Sequence, residues 1–103
     1  MKVFFDLEKD KVYTFKLNSG EELVAKVTSV EMHLIGIDTP VSIAPTPQGM
    51  QLVPSMFTAD PKQTTKLNTN NISMCSLTDE PVKLKYIEAT TGIKLPEKKV
   101  ILG

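Results

Sequence analysis

Residues 12–30, VYTFKLNSGEELVAKVTSV, restrict the fold more than any other stretch of this chain. Tyr13, Phe15 and Leu17 alternate with Val12, Thr14 and Lys16, and after Gly20 the residues Leu23, Ala25 and Val27 alternate with Val24, Lys26 and Thr28. A period of two is that of a half-buried strand. Ser19 and Glu22 stand at capping-box spacing, so a helix from Glu21 is the competing reading. Against it, Val24, Val27, Thr28 and Val30 are β-branched: they lose side-chain freedom against a helical turn and sit well on a pleated surface. The segment is therefore expected to be a β-hairpin, with Gly20 supplying the positive φ that a short loop requires.

The residues that follow continue in the same style. HLIGIDTPVSIAP reads as a strand interrupted at GIDTP, where Gly36, Asp38 and Pro40 are turn or bulge residues. TPQG at 46–49 is a further turn, and MQLVPSMF is extended, with Pro54 confining it to a sheet edge or a bulge. ADPKQ at 59–63 is a polar loop. TKLNTNNISMCSL holds short strands at 65–67 and 72–77, separated by the polar run 68–71, whose asparagines tolerate the left-handed conformation. PVKLKY alternates as a strand would, yet Val82, Tyr86, Ala89 and Ile93 also form a helical stripe. Asp79 and Glu80 before Pro81, with Gly92 as a terminator, favour the helix. About five short strands and a helix would most economically make a small, strongly curved barrel, because curvature removes exposed edges. A single domain spans 1–103, with its core at about 11–96 and a tail at 97–103 carrying an apolar cluster, Val100 to Leu102.

Composition narrows the function. Twelve basic residues balance twelve acidic ones, so no overall field draws the chain to nucleic acid or membrane. Every basic residue is lysine, which lacks the planar fork that stacks on bases and grips phosphate bidentately. With one cysteine and one histidine there is no internal disulfide and no Cys/His zinc cluster. A reducing, cytoplasmic location is expected. The longest uncharged run, 39–59, is broken by four prolines and could not satisfy its backbone in lipid. The opening MKVFFDLEKD is too short in apolar residues for a signal peptide.

VYTFKLNSGEELVAKVTSVEMHLIGI resembles the first motif of the Sm-like proteins, a family that includes the eukaryotic LSm proteins and the bacterial RNA chaperone Hfq. The resemblance lies in a hydrophobic strand, a turn glycine and a long second strand leading into a short loop at 31–33. TTKLNTNNISMCSL resembles the second motif. YIEATTGIKLP, with the proline-spaced middle, looks like the branch of the family found in tailed phages, including cyanophages, which carries its helix at the C-terminus. The resemblance implies a mainly β Sm-like fold, a strongly bent five-stranded antiparallel barrel with a C-terminal helix. It further implies a homo-oligomeric ring of roughly five to seven subunits, pentamer or hexamer favoured, joined edge to edge. Such a protein would bind single-stranded RNA near the pore, in the host-cell cytoplasm if phage-encoded, with no cofactor, no membrane and no catalysis. Two departures predict altered affinity. Asn68 and Thr69 stand where the second motif typically has arginine and glycine, and the asparagine typical of the first loop is missing near His33 and Leu34.

Two residue groups are candidates for RNA contact. Met32 and His33 lie in the loop that would face the pore and could pack on an unstacked base, a contact worth roughly 1–3 kcal/mol per aromatic platform. The competing reading makes Met32 core and His33 merely exposed. Asn68, Asn70 and Asn71 offer paired donors and acceptors to a base edge, and Lys66 a point charge to phosphate; the competing reading is a plain turn. Cys75, within ISMCSL, reads as a small buried hydrophobe, and pairing it with His33 as a thiol nucleophile lacks support. Glu21, Glu22 and Glu31 read as solvated turn residues. Lys83, Lys85, Lys94, Lys98 and Lys99 read as a solvated face, with a basic surface outside the pore as the alternative. Met50, Met56 and Phe57 read as packing or subunit contacts. The competing function is an assembly ring or adaptor that does not bind RNA, since fold does not establish function. A small enzyme is disfavoured by the lack of any nucleophile, base or metal constellation.

Overall fold

The structure is a computed structural model that describes residues 6–91. The expectations placed on the first five residues, on Gly92, Ile93, Lys94, Lys98 and Lys99 and on the tail from 97 lie outside the described residues. Within them the order is β1 (Val12–Leu17), β2 (Glu22–Val30), β3 (Leu34–Thr46), β4 (Gly49–Pro54), β5 (Thr65–Asn68), a 3-10 turn (Thr69–Asn71), β6 (Ile72–Leu77) and α1 (Glu80–Thr91).

The opening hairpin forms as its alternation predicts. β1 and β2 pair antiparallel from Val12↔Lys26 to Lys16↔Glu22. Gly20 N–H donates to Leu17 O at 2.9 Å and Leu17 N–H to Glu21 O at 2.8 Å, with Gly20 at φ 98°. This is a hairpin loop whose last residue is left-handed, the geometry for which glycine is selected. Ser19 accepts the Glu21 N–H at 3.4 Å, so its hydroxyl serves the turn and starts no helix.

β3 corrects the expectation of an interrupted strand. It runs unbroken over 13 residues, and the turn-forming residues are absorbed by a bulge. Opposite β2 the register passes from Val24↔Val41 to Lys26↔Asp38, so Thr39 and Pro40 stand against Ala25 alone. Thr39 adopts φ 43° to do so, a conformation β-branched residues rarely take. An extra residue reverses which face the side chains point to. Ile35 and Ile37, before the bulge, belong to one apolar cluster with Tyr13, Phe15, Leu17, Leu23, Ala25, Val27 and Ile72. Val41, after it, belongs to a second cluster with Val12, Val24, Leu52 and Tyr86, against which Ile43 packs. A second shift between Val27 and Ser29 makes Thr28 the extra residue on β2. There Gly36 is required: a Cβ would meet Thr28 Oγ1 at 2.9 Å and press on Ser29 Oγ.

The closed five-stranded barrel is not what forms. The sheet has six strands in the order β4-β3-β2-β1-β6, with β5 paired to β3 off this path, and it is open. The reason lies in how β3 divides its partners. Its first part pairs with β5, Leu34↔Asn68 to Ile37↔Thr65. The part beyond the bulge pairs with β4, Val41↔Pro54 to Thr46↔Gly49. β5 is four residues long and the chain leaves it through the 3-10 turn, so no ladder joins β5 to β6. β4 and β6 are left as the two ends of the sheet path. Pro54 closes β4, an edge strand, where a residue without an N–H is tolerated.

The last third is the helix rather than a strand. Asp79 O accepts the Lys83 N–H at 2.9 Å, and Pro81 sits in the first turn, where its missing N–H costs nothing. Tyr86 is the buried residue of the helix, with Val82 and Ile87 packed beside it on the second cluster. Its hydroxyl accepts the Lys26 N–H at 3.1 Å and donates to Asp38 O at 2.7 Å, which satisfies backbone groups of the pair flanking the bulge. The uncharged run 39–59 becomes the β3–β4 hairpin and the start of the following loop. Among the described residues, no helix is long and apolar enough to cross a membrane.

Candidate nucleic-acid interface

Two turns from distant parts of the chain meet at the junction of β3 with β5. The first joins β2 to β3: Glu31 N–H donates to Leu34 O at 2.9 Å, leaving Met32 and His33 at the tip. Both are exposed, Met32 by 52%, so Met32 is not a core residue. The second is the 3-10 turn between β5 and β6. Its cap is Asn68, in extended conformation, whose side-chain oxygen accepts the Asn70 N–H at 2.9 Å. Among residues 68–71 none has a positive φ, which corrects the left-handed expectation: the Asn68 side chain turns the chain instead. Ile72 N–H donates to Thr69 O and completes the turn.

Thr69 locks the two turns together. It is a buried polar residue, and both its N–H, at 3.0 Å, and its hydroxyl, at 3.3 Å, donate to His33 O. The His33 carbonyl is thus bonded to the residue that follows Asn68, and Leu34 faces Asn68 in the ladder. Lys66 and Asn68 are both exposed and two places apart on β5, which sets them on one face. Asn70 and Asn71 are exposed beyond them.

The sequence-derived candidates therefore gather around one junction, with different availability. Asn68 already spends one acceptor on its own turn. The carbonyls of Asn70 and Asn71 accept from Asn18, Nδ2 to Asn70 O and the backbone N–H to Asn71 O, both at 2.8 Å. Asn18 and Thr69 join these turns, yet in the sequence Asn18 reads only as a turn residue and Thr69 only as a turn residue departing from the second motif's glycine. The signal that could have found Asn68 is the N-x-N spacing of an asparagine capping its own turn. Lys66 on β5 and Glu31 at the end of the first turn are both exposed.

Other candidates fall elsewhere. Cys75 lies on β6, half-buried against the first cluster, and burial pushes its thiol up to about 11, the opposite of an activated nucleophile. Among the described residues Met50, Met56 and Phe57 are outside the core, exposed by 67, 47 and 83%. A cavity of about 370 Å³ opens between the β3–β4 hairpin, the 56–63 segment and the end of α1, lined by Val41, Leu52, Met56, Phe57, Pro61 and Ala89 among others. Its one carboxylate, Asp60, already accepts the Lys62 N–H at 3.0 Å. Among the described residues no three His, Cys, Asp or Glu side chains come together as a metal site. No family model matches the chain, and no curated protein is significantly similar to it.

Proposed function

We propose that this chain is a non-catalytic, Sm-like protein that binds single-stranded RNA at the junction of the 31–34 and 68–71 turns, acting as a ring of roughly five to seven copies. The observation that supports the reading is the Thr69 clasp on His33 O, which joins the turn carrying Met32 and His33 to the turn carrying Asn70 and Asn71, with Lys66 on the adjoining β5. An unstacked base would lie against the His33 ring or the Met32 side chain while Asn70 or Asn71 meets its edge, and Lys66 would neutralise a phosphate. With lysine only and Glu31 close by in sequence, affinity is expected to be modest and to fall with salt by few phosphate contacts.

The test is titration of labelled oligo-U and oligo-A RNA at low and physiological salt, beside the solution mass. Saturable binding by an oligomer of the 11.4 kDa chain is expected, weakened by His33→Ala and by Asn70→Ala with the mass unchanged. A concentration-independent monomer would remove the ring, and equal affinity in both variants would remove the site.

A second reading, an assembly ring or adaptor without RNA, is favoured by a separate observation. The end strands of the sheet path carry exposed apolar side chains, Met50 on β4 and Met74 and Leu77 on β6, beside backbone edges that invite pairing. Absence of RNA binding at low salt from a well-formed oligomer would select it.

A further inference from the structure

The β1–β2 hairpin turn meets the end of the 3-10 turn, whose start is bonded to the 31–34 turn. β6 pairs with β1 from Tyr13↔Leu77 to Lys16↔Met74, then slips to Leu17↔Ile72, leaving Ser73 unmatched, with its hydroxyl on Lys16 O at 3.1 Å. Beyond that slip the regular ladder gives way to Asn18. Its backbone N–H takes Asn71 O and its side-chain Nδ2 takes Asn70 O, both at 2.8 Å, so one residue holds two successive carbonyls of the 3-10 turn. Asn18 is itself fixed, because the Gly20 N–H on Leu17 O and the Leu17 N–H on Glu21 O tie down the residues on both sides of it.

We infer that Asn18 is a positioning residue: its side-chain amide sets the orientation of the 3-10 turn, and thereby the direction in which the Asn70 and Asn71 side chains leave the surface. Its relevance to RNA rests on the function proposed above; its hold on the turn does not. Thr69 fixes the turn at its start through His33 O, and Asn18 fixes it at its end. Removing Thr69 would disturb a buried group. Removing the Asn18 amide frees an exposed carbonyl that water can solvate, while the backbone bond to Asn71 O stays. The effect should therefore fall on the geometry of the turn far more than on the stability of the sheet.

Two variants of the full-length chain test this by amide resonances and by titration with labelled oligo-U and oligo-A. In Asn18→Ala the Asn70 and Asn71 amides should shift and exchange faster, melting and solution mass should hold, and affinity should fall by roughly threefold to tenfold, a loss within about 1.4 kcal/mol. Asn18→Asp keeps the shape but presents acceptors to a carbonyl, so it should displace the same resonances at least as far. Unmoved Asn70 and Asn71 resonances in both variants would overturn the inference. So would displaced resonances with unchanged affinity, if the wild-type chain binds RNA. If the wild-type chain binds neither oligonucleotide, the RNA function fails, and the resonances alone decide whether Asn18 positions the turn.

Discussion

The two apolar clusters on opposite faces of the sheet are built differently. The first is lined by β1, β2, the start of β3 and the start of β6; Phe15, Ala25, Val27 and Ile35 in it have no measurable exposure. Among the described residues it is completed by Leu67 of β5, Cys75 of β6 and Leu7 ahead of β1, with no residue of the helix. The second cluster buries Val12, Val24, Val41 and Leu52 from the strands, with Ile43 partly buried beside them, and is covered by Tyr86, Val82 and Ile87 of α1. The difference shows what a bulge does: by reversing the facing of β3 at Thr39 and Pro40, it sends the rest of the strand to a second, thinner core that a helix must complete.

The largest effect that could break this contrast is truncation. Phe15→Ala should cost about 3–5 kcal/mol and Leu52→Ala less, about 2–3, because the second cluster is thinner and can relax. Denaturant unfolding checks both, and equal losses would mean that the clusters are one core.

The next prediction isolates the helix. Tyr86→Phe keeps the packing but leaves Lys26 N–H and Asp38 O without the bridging hydroxyl, and should cost about 1–3 kcal/mol. Helix amides should exchange faster while those of β1 and β2 keep their protection. The same hydroxyl predicts alkaline sensitivity. Burial pushes the Tyr86 phenol up to about 12, and the Cys75 thiol on the first cluster up to about 11. The folded chain therefore holds protons that the unfolded chain releases from its ordinary values of 10.0 and 9.0. Stability from these groups is full below about pH 9 and is lost as pH rises toward 12. Tyr86→Phe should flatten the upper part of that decline, measured as the unfolding midpoint against pH.

The smallest effects compare one left-handed residue in each region. Gly20 has open space around it, so Gly20→Ala should cost about 1–2 kcal/mol from its φ alone. Thr39→Gly in the bulge relieves a similar strain but adds chain entropy to the unfolded state, so a net gain below about 1 kcal/mol is expected. A loss larger than that on Thr39→Gly would mean that the threonine side chain supports the second cluster.

Much of this was legible because it is local. Alternation around Gly20 marks the first hairpin, Pro54 marks an edge strand, Pro81 after two acids marks a helix start, and the polar run 68–71 marks a turn between two strands. The bulge was legible only as a cluster of turn residues, since GIDTP reads equally as a break. The openness of the sheet was not legible: no local pattern tells β3 to change partners from β5 to β4. For the candidate site, the exposed residues could be named from their types, but not the residues that join them.

The sequence by itself determined which segments extend, which turn and which coil, because those preferences act between residues a few places apart. Only the tertiary structure decided that Thr69 clasps His33, that Asn18 holds Asn70 and Asn71, and that Tyr86 caps the bulge. Those bonds depend on register and curvature, which long-range pairing fixes only when the whole sheet forms.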